Sequence, residues 1–244
     1  MSSFRNAAPR EWSRRAWLGL SAAAPWAAVR AEELRGFPAI DEASRDAGLV
    51  TLLYSMRAAV ASKNHQALEA IMMPDFRAEF DGAKGPAGFH RRWAPQSQAS
   101  PVWEILARLL PLGGSFYSGT LFALPYVYTH FPIDLDLLSH VVVVKEKAAL
   151  LPSATGHGQP IGQLGQCIVP LATPLQAPVV LPAEGTLELA LPDRGRCHIA
   201  TSDVYSPAGH RAFFEKRAGR WRWISLAAGT LAEPPELTLQ RKRS

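Results

Sequence analysis

Seven histidines and two cysteines are the side chains of this sequence best suited to nucleophilic, proton-transfer or metal chemistry. His65, His90, His130, His140, His157, His198 and His210 are scattered, and none forms the paired-histidine, single-glutamate pattern of a helix-borne zinc site. Cys167 and Cys197 stand thirty residues apart and neither belongs to a C-x-x-C pair, so no metal centre is expected. Cys167 with His198 or His210 would be a minimal cysteine nucleophile, but no further signature surrounds it. In an oxidising compartment the two cysteines could close one disulfide, worth about 2–4 kcal/mol. They read equally well as two buried small apolar side chains. The sequence holds no phosphate-cradling glycine loop, dinucleotide fingerprint or G-x-S-x-G elbow, and no cofactor is expected.

Two groups of residues remain as candidate sites. Tyr54, Phe80, Asp81, His90, Trp93 and Tyr117 could line a pocket in which one acid and one imidazole would move a proton. The plainer reading makes Asp81-Gly82 a turn and His90-Arg91-Arg92 the exposed face of a helix. The second group is Tyr126, Tyr128, His130 and Phe131, with Asp134 and Asp136 downstream. Aromatic faces beside acids suit recognition of peptide or sugar chains, because they add contact area at low entropic cost. Alternatively, Phe122, Tyr126 and Phe131 only dock a linker on its neighbours.

The opening of the chain bears on location. Arg14 and Arg15 precede a mildly apolar run from Ala16 to Val29, and Val29-Arg30-Ala31 fits a small-x-small cleavage site, leaving Glu32 as the first mature residue. The run is too short to cross a bilayer, so no stable membrane insertion is expected after cleavage. Ser13 to Leu18 resembles the signal read by the twin-arginine export machinery, with Trp17 where phenylalanine is usual. That resemblance implies folding before export and a periplasmic or secreted protein.

Removing residues 1–31 also changes the charge argument. The whole chain carries +5, from 26 basic and 21 acidic side chains. The leader holds five arginines against Glu11 alone, which leaves 21 basic and 20 acidic side chains. Three of those positives are Arg241, Lys242 and Arg243, in a tail (231–244) expected to be solvated and flexible. A body of near-neutral charge lacks the basic face that nucleic acid requires, so no nucleic-acid partner is expected.

The elements that must position these residues change character at mid-chain. Leu49, Leu52, Leu53, Met56, Ala59 and Val60 predict a helix, with Asp41 or Ser44 at its start. Asn64 would cap a second helix over His65–Met73, ended by Pro74, before a strand over Phe76–Phe80. Pro86 and Pro101 suit the first turns of two more helices, the last stopped at Gly113-Gly114. Beyond them the chain reads as strands: Phe116–Phe122, a run of four valines after His140 that suits burial on both faces, and a closing hairpin, HRAFFEK and WRWISLAA around RAGR. In the hairpin Arg211, Phe213 and Glu215 alternate with Ala212, Phe214 and Lys216. The fold class is α+β.

Two stretches resemble known families. ALLPSATGHGQPIGQLGQCIV, through Pro152-Ser153 and Ile161-Gly162-Gln163-Leu164, resembles the opening of bacterial SH3-like domains, and DRGRCHIATSDVY looks like their closing strand. The match departs from that family at Cys197-His198-Ile199, where a glycine and an aromatic are usual, and it lacks the central tryptophan. DFRAEFDGAKGPAGFHRRW and RAFFEKRAGRW resemble the cone-shaped fold of the nuclear transport factor two family, in which a curved sheet wraps a long helix. Together they imply a helical, cone-like α+β part over 32–125, completed by 207–230, an aromatic linker over 126–138, and a small SH3-like β-barrel over 139–206.

The functional expectation is a non-enzymatic periplasmic binding or scaffold protein whose barrel contacts cell-wall peptide or a protein partner, with Tyr126, Tyr128, His130, Phe131 and Asp134 as contacts. The alternative is a small-molecule-binding or enzymatic cone whose apolar pocket uses Asp81 and His90.

Overall fold

The computed structural model describes residues 34–78, 84–156, 158–192 and 195–229. The export-signal reading at Arg14, Arg15 and Ala31, the residues Phe80, Asp81 and His157, and the basic tail lie outside the described residues.

The chain is a mixed α and β structure. Helix α1 spans Ala47–Ala61 and buries Leu49, Leu52, Leu53, Met56, Ala59 and Val60, the stripe visible in the sequence. Its cap is neither Asp41 nor Ser44 but Asp46, whose carboxylate accepts from the Gly48 and Leu49 amides at 2.9 and 3.2 Å. Asp41 acts one turn earlier, accepting from the Ala43 amide at 3.1 Å. Asn64 caps α2 (His65–Ala70) through the Ala67 amide. The helix stops short of Met73 because Met72–Arg77 runs as strand β1. Pro74 lies inside that strand, which a proline tolerates here because β1 is at the edge of its sheet.

Helices α3 (Gly85–Trp93) and α4 (Pro101–Leu109) follow. Ser100 accepts from the Val102 amide and donates to the Trp93 carbonyl, so one hydroxyl fixes the end of α3 and the start of α4. The single strand expected over Phe116–Phe122 is instead a tight hairpin, β2 (Ser115–Ser118) and β3 (Leu121–Leu124), because Gly119-Thr120 makes the turn.

The expected linker is also different. Tyr126–His130 forms a short helix, α5, with Tyr126 and Val127 buried. Strands β4 (His140–Val143), β5 (Ala148–Leu151), β6 (Gly162–Leu164), β7 (Ile168–Pro170), β8 (Thr186–Leu191), β9 (Gly195–Ala200) and β10 (Val204–Tyr205) come next. The chain closes with β11 (Arg211–Arg217) and β12 (Arg220–Ala227).

Three sheets result. The first has the order β1-β12-β11-β3-β2, so the last hairpin lies inside the sheet begun by the first half. All its pairs are antiparallel except β1 with β12. One face carries Phe76, Phe122, Phe214 and Trp223 into a core with α1, α3 and α4, where Phe76, Phe89 and Trp223 meet edge to face. The other face carries Leu121, Ala123, Phe213 and Ile224. The alternation read in the hairpin thus separates Phe213 from Ala212 and Phe214.

The remaining sheets have the orders β10-β4-β7 and β6-β5-β9-β8. They share one core, in which Val141, Val143 and Val169 from the first meet Ala148, Leu150, Leu189 and Ile199 from the second. Val142 points the other way, into a cluster with Phe37, Tyr126, Phe131, Ile168 and Tyr205. The valine run is therefore buried on both faces, as its composition requires. Residues 35–37 reach the same place: the Phe37 amide donates to the Gln166 carbonyl and the Ile168 amide to the Arg35 carbonyl, both at 2.9 Å.

Candidate functional site

The aromatic segment is packed rather than presented. Tyr126 is 1% exposed and stacks on Phe37 with ring centres 5.4 Å apart. Its hydroxyl meets no hydrogen-bond partner among the described residues, and burial pushes the phenol up to about 12. Phe131 is buried beside the same phenylalanine. Half-buried Tyr128 lies under the Arg211 guanidinium, 4.3 Å from its ring centre, with Phe213 edge-on. His130 keeps Nδ1 near the hydroxyls of Thr129 and Ser115, at 2.9 and 3.2 Å.

Asp134 is exposed and pairs with Arg35 at 3.1 Å. Its own backbone amide, helped by Arg35, holds its carboxyl below the usual carboxylate range. Asp136 accepts from the Leu138 and Ser139 amides, so it builds a turn. The expected recognition platform of Tyr126, Tyr128, His130, Phe131 and Asp134 is corrected on this point: its rings are committed to joining the sheets, and only His130 and Asp134 reach solvent freely.

Of the residues expected in the cone pocket, the four that are described, Tyr54, His90, Trp93 and Tyr117, do not converge. Tyr54 points outward from α1 and is 73% exposed, whereas Tyr117 stands on the far face of the five-stranded sheet, near Tyr128 and Phe213. Trp93 is buried in the helix-side core. His90 has both ring nitrogens occupied: Nε2 lies 2.7 Å from Glu69 Oε1 and Nδ1 lies 3.2 Å from Gln96 Oε1. His65 meets it edge-on, 5.6 Å between ring centres. The cluster joins α2 to α3 at the surface.

Cys167 and Cys197 are both buried in the shared core of the two smaller sheets and are not bonded to one another. Burial pushes the Cys167 thiol up to about 11, the reverse of what a nucleophile needs. On β9, Cys197 and His198 are successive residues and so face opposite sides. Among the described residues no group of histidine, cysteine, aspartate or glutamate side chains is placed to hold a metal ion. Nor is any described helix long and apolar enough to cross a membrane.

A different place has the geometry of a site. Between α4, the loop 179–183 and the turn 205–210 lies a cleft of about 170 Å³. Ile105, Val179, Leu181 and Pro182 give it apolar walls, and Glu104, Arg108, Ser206 and His210 supply polar groups. Arg108 builds it. Its Nη1 donates to the carbonyls of Leu181 and Pro182 at 3.1 and 3.2 Å, and its Nη2 to the Thr201 carbonyl at 2.9 Å.

Opposite, the Tyr205 hydroxyl donates to the His210 carbonyl at 2.7 Å, and burial raises that phenol far above its ordinary range. The His210 ring packs against Trp93, 5.6 Å between centres. Ser206 Oγ accepts from the Ala208 amide, which tightens the turn. Val179 is buried behind the loop while its neighbour Val180 is 63% exposed at the rim. Sequence reasoning passed over this cleft because its walls come from three separate segments. The available signals were a Val-Val pair inside a proline-rich loop and the Glu104–Arg108 spacing on α4.

No protein-family model, curated protein or solved structure matches this chain.

Proposed function

We propose that this is a non-enzymatic binding protein that acts outside the cytosol and holds a cell-wall peptide or a protein partner in the cleft between α4 and the loop 179–183. The observation that carries the reading is an exposed apolar rim, Val180, on a loop that Arg108 ties at two carbonyls beside a pre-formed cleft. A rigid concave site with an apolar rim binds without a large ordering cost. The cleft's hydroxyls support binding over chemistry, since Tyr205 and Ser206 are engaged in holding the turn.

The export part rests on Arg14, Arg15 and the Ala31 cleavage site. The SH3-like reading of 139–206 is supported by two small sheets that share one core, and the cone-like reading by a five-stranded sheet that packs α1, α3 and α4 on one face. The contact surface of the second part, in this proposal, is its edge toward α4 and not the aromatic segment.

Co-sedimentation of the protein with purified peptidoglycan tests the reading. The wild type should pellet with the wall material and Val180→Trp, which blocks the rim, should stay in solution. If both variants pellet equally, the cleft is not the contact; if neither pellets, the cell-wall form of the proposal fails.

A further inference from the structure

The cleft is small, and its charges are unequally available. A volume of about 170 Å³ is close to the roughly 150 Å³ that accommodates one benzene-sized group, and well below the roughly 300 Å³ at which drug-sized ligands begin. It takes one side chain. Its walls at Ile105, Val179, Leu181 and Pro182 offer no hydrogen bond from their side chains, so they suit a methylene stem.

The two charged residues of α4 then decide what the end of that stem carries. The Arg108 guanidinium is already held by three main-chain carbonyls and cannot turn to clamp a ligand carboxylate without releasing the loop. Glu104 lies in the first turn of α4. Its side chain is exposed at the cleft and makes no ion pair among the described residues. Of the two charges, the carboxylate is the one free to reorient toward a ligand, since the guanidinium's position is fixed by the loop.

On the binding reading above, we infer that the cleft selects a lysine-type side chain, with its alkyl stem against Ile105 and the loop 179–183 and its terminal ammonium on the Glu104 carboxylate. A compact ammonium on an unbranched stem matches one carboxylate at the mouth of a small cleft, whereas a planar guanidinium is matched best by a bidentate partner. A ligand carboxylate would meet Glu104 as a like charge. An uncharged stem of the same length would keep the apolar contact and lose the ion pair.

The test is calorimetric titration of the full-length protein with three capped tripeptides, acetyl-Gly-X-Gly-amide, where X is lysine, norleucine or glutamate. Lysine should bind about fivefold more tightly than norleucine, the scale of a partly exposed ion pair, and glutamate most weakly. Glu104→Gln should remove the preference for lysine over norleucine, and Val180→Trp should weaken both. Raising the salt concentration should narrow the lysine preference. Equal binding of lysine and norleucine, both lost in Val180→Trp, would overturn the amine selection while leaving the cleft as a binding site. A lysine preference that survives Glu104→Gln would overturn the assignment of the ammonium to that carboxylate. Absence of binding by all three peptides would overturn this inference and the cleft reading together.

Discussion

Arg108 on α4 donates to the main-chain carbonyl of Thr201, just past the end of β9, at 2.9 Å. With its other nitrogen on Leu181 and Pro182, this side chain ties the helical layer to both the proline-rich loop and the second group of sheets. That tie joins two walls of the cleft, α4 and the loop 179–183.

Arg108→Ala should therefore loosen the loop before it unfolds the protein. Hydrogen bonds from a charged donor are worth about 1.5–3 kcal/mol, and three carbonyls lose their partner at once. The expected loss in urea denaturation is about 2–3 kcal/mol, with faster amide exchange over 179–185. Arg108→Lys should recover little of it, because one ammonium cannot span three carbonyls. Unchanged exchange in the loop would show that other contacts hold it.

Tyr126 gives a prediction with opposite signs for two substitutions. Tyr126→Ala should cost about 3–5 kcal/mol, the scale of a large aromatic removed from a core. Tyr126→Phe should be neutral or slightly stabilising at pH 7, since it deletes a buried hydroxyl with no partner among the described residues.

The same hydroxyl predicts an alkaline limb. Its phenol is raised from 10.0 to about 12 by burial, so above pH 10 the unfolded chain loses a proton that the folded chain keeps. Stability should fall as pH rises from 10 toward 12, by roughly 2–3 kcal/mol at most from this group. Tyr126→Phe should show a shallower fall, although Tyr205 still contributes in the same direction. Identical alkaline limbs in the two proteins would contradict the burial of this ring.

Much of this framework was legible in the sequence, and the misses have physical causes. Local signals held: the α1 stripe, Asn64 as a cap, Pro101 in the first turn of α4, and the valines of β4. The α1 cap, Asp46, was missed although its signal is local, since it stands directly before the helix and accepts from the Gly48 and Leu49 amides. What the sequence could not show is its second partner, Lys216, whose Nζ lies 2.7 Å from the same carboxylate. Pro74 read as a helix stop because nothing local says that β1 is an edge strand, and its parallel pairing with β12 joins residues from opposite ends of the chain. Tyr126 and Phe131 carried no mark of the Phe37 ring that covers them. The cleft was least legible, since Glu104, Val180 and His210 come from three separate segments.

Asp46 joins a helix cap to that ion pair. The hydrogen bond from Lys216 holds its carboxyl below the usual carboxylate range, so its contribution is present above about pH 4 and fades as pH falls through its folded value. Asp46→Ala should cost about 1 kcal/mol at pH 7 through the cap. Asp46→Asn should keep the cap and lose the pair, and its stability should vary less than that of the wild type below pH 4. Acid titration of the unfolding midpoint checks both.

Cys167 should resist labelling. With its thiol buried and raised to about 11, reaction with a maleimide at pH 7.5 should be slow in the native protein and fast after unfolding without reductant. If the unfolded, unreduced protein does not label there, the sulfur is in a disulfide and the packing of the shared core differs from that described.

The central claim is that the rim of the α4 cleft is where this protein meets its ligand, and photo-crosslinking tests it most directly. A benzophenone amino acid placed at Ala183, an exposed residue beside the rim, and as a control at exposed Tyr54 on the outer face of α1, would be irradiated with soluble wall-derived stem peptides. The account predicts a peptide adduct at position 183 and none at position 54. Adducts at both positions, or at 54 alone, would contradict it.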